Sequence, residues 1–158
     1  MDRAVNTEAA LGVGIGAHPV PDPRLAEAIV DAISHVDHNV SLFTYGGALE
    51  SAATSRGLPV VKEVFADRAY YRDGSLVSRA EEGAVLKDPG LVVKRVIKMV
   101  VDHHILSVKG DEPEAIPDTI CVHGDTPGAS ALIGRIREAL DRAGVTVRPL
   151  REVRGLIR

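Results

Sequence analysis

The stretch Asp118-Thr-Ile-Cys-Val-His-Gly-Asp-Thr-Pro-Gly128 decides the fold class that this sequence predicts. Its apolar run, Ile120 to Val122, is typical of a strand buried on both faces of a parallel sheet. A helix is predicted to begin directly afterwards. The Thr126 hydroxyl can cap the amides of its first turn, and Pro127 suits the first helical position because it lacks an N–H.

Polar side chains follow this strand at once. His123 and Asp125 are predicted to project from the carboxyl end of the strand, where open α/β sheets place their binding sites. The free amides of residues 126–128 would favour an anion beside them. From spacing alone, an equally acceptable interpretation is that His123 and Asp125 only hydrogen-bond the turn.

The rest of the chain continues this alternation of strands and helices. Apolar periodicity and turn residues predict helices over 2–10, 24–36, 48–56 and 89–101, and a last helix that follows Thr126 and stops at Gly144. They predict strands over 13–17, 40–44, 58–65, 105–108, 120–122 and 145–147. Asp73-Gly74 predicts a hairpin turn between Tyr70-Tyr71 and Leu76-Val77. Such alternation predicts a largely parallel sheet with helices outside it.

Parallel strands bring their carboxyl ends to one edge of the sheet. The candidate site residues that should converge there are His18, Glu63, Asp67, Arg68, His123 and Asp125. A simpler interpretation of Asp67-Arg68 is an internal salt bridge that fixes the following loop.

Composition limits the classes of function. The 158 residues are 45% hydrophobic, 26% charged and 3% aromatic, and their formal net charge is −3. One ordinary globular domain is expected, over residues 1–147, followed by a basic tail over residues 148–158. The weak negative charge and the scarcity of aromatic residues argue against nucleic acid as a partner. No membrane span or signal peptide is predicted.

The single cysteine, Cys121, excludes an intrachain disulfide and favours a reducing cytoplasmic location. Because it lies within an apolar strand, we expect it to be a core residue and not a nucleophile.

Three longer motifs, in order along the chain, resemble those of the LamB/YcsF family, which comprises the A subunit of prokaryotic 5-oxoprolinase. They are Glu63-Val-Phe-Ala-Asp-Arg-Ala-Tyr70, Asp73-Gly-Ser-Leu-Val-Ser-Arg79 and Ile120-Cys-Val-His-Gly-Asp-Thr-Pro127, and Gly16-Ala-His-Pro19 matches a further family motif. The resemblance is nearly continuous from Asp22 to Val147.

The resemblance implies a seven-stranded β/α barrel of the glycoside hydrolase/deacetylase type. The family's opening Asp-Leu-Gly-Glu motif, a strand with Gly-Phe-His-Ala-Gly-Asp, and a Lys-Pro-His-Gly-Ala-Leu-Tyr-Asn segment have no counterpart in this sequence. We therefore expect a shortened, incomplete barrel whose open edges a homo-oligomer could cover.

The resemblance also implies an activity. Family members open 5-oxo-L-proline to L-glutamate with hydrolysis of ATP, together with the B and C subunits of the enzyme. On this basis His123 and Asp125 are predicted as the principal acid–base residues, and Glu63 and Asp67 as a second acid–base position. Arg68, His18 and Thr126 are predicted to bind the substrate. ATP is implied by the resemblance alone, because no phosphate-binding G-x-x-x-x-G-K-[ST] loop is present.

Two other functions remain open at this point. His18, Asp67, His123 and Asp125 are suitable ligand types for a metal-dependent amide or sugar deacetylase, although no H-x-x-x-H pair is present and no metal is predicted. The missing motifs would also fit an inactive or binding-only copy.

Overall fold

The structure of the chain is a computed structural model, and it describes residues 22–124, 128–150 and 152, together with the backbone of residues 4–5. The helices within these ranges are α1 (Pro23–Val36), α2 (Gly47–Ser55), α3 (Pro89–Ile97) and α4 (Ala129–Arg142). α3 continues directly into a π-helical turn, Lys98–Asp102. The strands are β1 (Ala4–Val5), β2 (Leu42–Thr44), β3 (Val60–Phe65), β4 (Thr119–Cys121) and β5 (Thr146–Val147).

Three parallel strands form the central sheet in the order β2-β3-β4. A separate parallel pair joins β1 to β5. The predicted α/β class with a parallel sheet is therefore confirmed. The closure of a seven-stranded barrel, the boundary at residue 147 and the homo-oligomer stay predictions.

The two strongest helix-start signals in the sequence act as expected. Asp22 caps α1, where its carboxylate accepts the Arg24 N–H at 2.9 Å. Asp88 caps α3 and accepts the N–H of Gly90 at 2.7 Å and that of Leu91 at 3.2 Å. The proline that follows each aspartate occupies the first helical turn, where no partner for an N–H exists.

The helices cover one face of the central sheet. Leu42 of β2 packs with α1 and α2, while Val64 of β3 packs with Met99 of the π-helical turn. Ile120 of β4, the register partner of Val64, also packs against these buried residues. Because side chains alternate along a strand, Glu63 and Phe65 of β3 and Cys121 of β4 project from the opposite face. The opposite face thus carries the Glu63 carboxyl and the Cys121 thiol.

The predicted hairpin turn at Asp73-Gly74 is confirmed. The Tyr71 N–H donates to the Ser75 carbonyl oxygen at 2.8 Å, and Gly74 has a φ of +80°, which glycine adopts without strain. Tyr70 and Leu76 form an antiparallel bridge across it.

Several predicted elements differ from the structure. Ala4 and Val5, predicted as helix, form β1, because pairing with β5 overrides a weak local helix preference. Residues 105–108, predicted as a strand, make only isolated bridges, since the chain folds back on itself and the Ser107 N–H bonds the Asp111 carbonyl. The predicted strand over 13–17 lies outside the described residues.

The start of α4 also differs from the prediction. Its N-cap is Gly128, in a left-handed conformation with a φ of +83°, a residue with no side chain to cap the helix. The predicted cap Thr126 and first-turn Pro127 lie outside the described residues, and α4 itself begins at Ala129. Glycine allows the backbone to turn into the helix at a later residue without the strain that a side chain would bring.

No helix in the described part of the chain is both long enough and apolar enough to cross a membrane.

The register of β3 against β4 depends on a buried aspartate. Asp118 donates its N–H to the Lys62 carbonyl at 2.8 Å, and its carboxylate accepts the Lys62 N–H at 2.9 Å. We expect Asp118→Ala to lower the free energy of unfolding by about 1–3 kcal/mol, because the Lys62 N–H would lose its partner. Urea denaturation measures this loss. Asp118→Asn, which keeps an acceptor oxygen, is the control, and an equal loss in both variants would contradict the explanation.

Candidate active site

The ends of β3 and β4 bring together two residues that are far apart in sequence. Phe65 and Cys121 are register partners at the carboxyl ends of the two strands. Asp67 follows Phe65 by two residues, and His123 follows Cys121 by two residues. The parallel register therefore places Asp67 and His123 side by side at the carboxyl edge of the sheet.

These two side chains form a hydrogen-bonded pair. His123 Nδ1 lies 2.7 Å from Asp67 Oδ1 and 3.0 Å from Oδ2. The Asp67 side chain is 1% exposed and that of His123 is 18% exposed. An ionised carboxylate can only accept a hydrogen bond, so Nδ1 carries the proton and donates it. Nε2 is then left as the imidazole's acceptor, which is the state required of a general base.

An aromatic ring supports the imidazole from one side. The Phe65 ring is stacked on His123 with a centroid separation of 5.3 Å and an angle of 14° between the planes. The stack and the carboxylate together restrict rotation of His123 about both of its side-chain bonds. Phe65 was missed in the sequence, where it counted only as an apolar strand residue.

Glu63 lies on the same face of β3 as Phe65. Burial raises the pKa of its carboxyl above the ordinary value, and the nearby His123 opposes this shift more weakly. A carboxyl of this kind retains its proton to a higher pH than an exposed glutamate. Glu63 can therefore act as a proton donor beside the Asp67–His123 pair.

Cys121 is not an activated thiol. Burial raises its pKa to about 11, and the charges of Glu63 and Asp67 add to the shift. The thiol stays protonated near neutral pH, whereas a nucleophilic cysteine needs a thiolate. This agrees with the expectation that Cys121 is not a nucleophile, although its side chain is only partly buried and is not among the core residues.

Arg68 is turned away from this pair towards the loop that follows. It is 2% exposed, and it donates to the Val77 carbonyl at 2.7 Å and to the Ala84 carbonyl at 3.4 Å. These bonds fix the segment between the hairpin and α3. The placement supports the loop-fixing role that the sequence also allowed, and substrate binding by Arg68 stays a prediction.

Three of the predicted site residues, His18, Asp125 and Thr126, lie outside the described residues. Among the side chains that the structure does describe, no three histidine, cysteine, aspartate or glutamate residues lie together as a metal site. The sequence grouped His123 first with Asp125, whereas the structure shows Asp67 as its partner.

Comparison with known proteins identifies the family. A model of the LamB/YcsF family matches residues 20–155. This chain belongs to the LamB/YcsF family.

Among its relatives is the A subunit of 5-oxoprolinase from Rhodopseudomonas palustris (strain BisB18), which is 45% identical over 81% of this chain and 51% of the relative. The A subunit of 5-oxoprolinase from Pyrococcus abyssi is 42% identical over 86% of this chain and 54% of the relative. The lactam utilization protein from Thermus thermophilus has a similar structure, with a TM-score of 0.72 and 36% identity over 80% of this chain and 51% of that chain. This LamB/YcsF chain thus spans about half the length of the curated relatives it matches.

The raised pKa of Glu63 predicts a pH-dependent stability. Because the folded state holds this proton more tightly than the unfolded state, the stabilisation is complete below the unfolded pKa of about 4.3 and is lost as pH rises through the folded pKa. Glu63→Gln should therefore be more stable than the native chain at pH 7, and this advantage should disappear below about pH 4.

Urea denaturation at both pH values measures this effect. Glu27→Gln, on the exposed surface of α1, is the matched control for the loss of one charge. A Glu63→Gln advantage of the same size at both pH values would contradict the burial of the charge as its cause.

The contacts of Arg68 predict a second stability effect. Arg68→Met should lower the free energy of unfolding by about 1–3 kcal/mol, since the buried Val77 carbonyl loses its donor, while the Ala84 carbonyl keeps the Ala69 N–H. It should also speed proteolysis within residues 72–87, which mass spectrometry of the fragments would locate. Arg72→Met is the control, because its side chain is 82% exposed. Unchanged proteolysis in a folded Arg68→Met variant would argue against the loop-fixing role.

Proposed function

We propose that this LamB/YcsF chain acts as the A subunit of an ATP-dependent 5-oxoprolinase and takes part in the opening of 5-oxo-L-proline to L-glutamate. The observation that carries the proposal is the buried Asp67 carboxylate bonded to His123 Nδ1 at the carboxyl edge of the sheet. The names of the relatives support the same reaction, and the pair supplies the acid–base chemistry that it requires.

Opening a lactam requires two proton transfers. Water must lose a proton as it attacks the carbonyl carbon, and the ring nitrogen must gain one as the C–N bond breaks. We assign the first transfer to His123 Nε2, since Asp67 holds the proton on Nδ1 and stabilises the imidazolium that results. Glu63, with its raised pKa, is assigned to protonate the leaving nitrogen. The products are a free amine and a carboxylate, which is the composition of glutamate.

ATP enters the proposal through family resemblance. When bound, ATP would supply a phosphoryl group that makes the poorly electrophilic lactam carbonyl easier to attack, and this group would leave as inorganic phosphate, with ADP as the other product. Arg68, which follows Asp67 in the sequence, already donates to two loop carbonyls. We therefore assign no described residue to ATP, and neither of the proton transfers depends on its position.

The B and C subunits of 5-oxoprolinase are proposed as the partners of this chain, and the cytoplasm as its location. The relatives are named as one lettered subunit of the enzyme, which supports a multi-subunit assembly. His18 and Thr126 remain proposed to bind the substrate, and Asp125 remains proposed for acid–base chemistry.

The activity test mixes this chain with B and C subunits from a related system and measures ATP-dependent release of glutamate from 5-oxoproline. We expect activity above that of B and C alone. His123→Ala should lower kcat by on the order of 10²–10⁴-fold, because the general base is lost. Asp67→Asn should lower kcat by at least about tenfold, because an amide can donate to Nδ1 and stabilise the wrong tautomer.

His35→Ala is the matched histidine control, since His35 lies exposed in the last turn of α1. Circular dichroism establishes that each variant is folded. Wild-type kcat in a folded His123→Ala variant would refute the assigned role. No activity from the native chain, with a full-length relative active in the same mixture, would refute the function and favour a binding-only copy.

A further inference from the structure

The backbone amide of Phe65 lies where the central sheet can no longer bond it. Amides alternate between the two neighbours of a strand, and the next amide, that of Ala66, donates to Cys121 of β4 at 2.9 Å. The Phe65 amide therefore points towards β2. That strand ends at Thr44, whose register partner is Lys62. A side chain satisfies the amide instead, because the Tyr70 hydroxyl oxygen accepts the Phe65 N–H at 2.7 Å.

Tyr70 is itself firmly held. It is 2% exposed and packs in a cluster with Val64, Met99 and Ile105. Its backbone carbonyl accepts the Val108 N–H at 2.9 Å, and its backbone bridges Leu76 across the hairpin. The hydroxyl is thus presented from a rigid part of the core.

The Tyr70–Phe65 bond closes a turn that contains Asp67. The two ends of this turn are five residues apart. One end carries the ring that stacks on His123, and the middle carries the carboxylate that bonds His123 Nδ1. The Tyr70 hydroxyl therefore fixes the backbone that carries both groups that orient the imidazole.

We propose that Tyr70 is a positioning residue for the Asp67–His123 pair, whose hydroxyl holds the Phe65–Asp67 turn so that ring and carboxylate orient the imidazole together. Its effect on catalysis rests on the proposed 5-oxoprolinase function. Its effect on the imidazole does not. A purely structural Tyr70 would alter stability and leave the tautomer of His123 unchanged.

Tyr70→Phe removes the hydroxyl and keeps the buried ring. Nitrogen-15 NMR of the histidine side chains should show His123 with its proton on Nδ1 in the native chain and a mixture of tautomers in Tyr70→Phe. With B and C subunits present, kcat should fall by on the order of ten- to a hundredfold, because a small misplacement of a catalytic group is costly. KM should change far less than kcat, since Tyr70 is buried and its hydroxyl bonds the backbone of Phe65.

Tyr71→Phe is the matched control. Its hydroxyl donates to Glu81 at 2.6 Å, away from Phe65, and its removal should leave both kcat and the His123 spectrum unchanged. A folded Tyr70→Phe variant with the native His123 spectrum and kcat would overturn the proposal. An equal effect of Tyr71→Phe would overturn it as well.

Phe65→Leu keeps the test decisive if Tyr70→Phe does not fold. This variant retains the backbone amide and an apolar side chain but loses the stacked ring, and we expect altered His123 nitrogen shifts and a lower kcat. Native values of both would then overturn the proposal. If the native chain lacks ATP-dependent activity, the proposed function fails, while the nitrogen shifts of the variants still decide the role of Tyr70.

Discussion

The parallel pairing of β3 with β4 is the constraint on which the rest of the structure depends. Asp118 fixes it at one end through two bonds to the backbone of Lys62, and the register partners Phe65 and Cys121 end it at the other. A slip of one residue would reverse the faces of one strand and separate Asp67 from His123. The register is therefore a functional feature as well as a structural one.

The two faces of the central sheet have different roles, since one packs against the helices and the other adjoins the candidate active site. One face packs against the helices and buries Leu42 and Val64, whose apolar burial supplies folding free energy. The polar Lys62 on this face pairs with Glu50 of α2. The other carries Glu63 and Phe65, and the Asp67–His123 pair lies at its carboxyl edge. Burial of Asp67 is tolerable because its carboxylate is hydrogen-bonded, whereas an unpaired buried charge would be strongly destabilising.

Much of this organisation was predictable, because it depends on local chemistry. The caps at Asp22 and Asp88, the turn at Gly74 and the alternation of strands and helices all follow from residues close together in sequence. The same reasoning gave Glu63, Asp67 and His123 as candidates. It failed where distant segments interact, because residues 4–5, predicted as helix, pair with β5 as a strand.

The sequence by itself determined the α/β class, the family and the types of residue available for acid–base chemistry, because these depend on periodicity and on motifs that are continuous in the chain. Only the tertiary structure decided which of them meet. It paired His123 with Asp67, 56 residues away, turned Arg68 towards loop carbonyls and stacked Phe65 on the imidazole. Strand register and side-chain packing fix these contacts, and neither is encoded within a single stretch of residues.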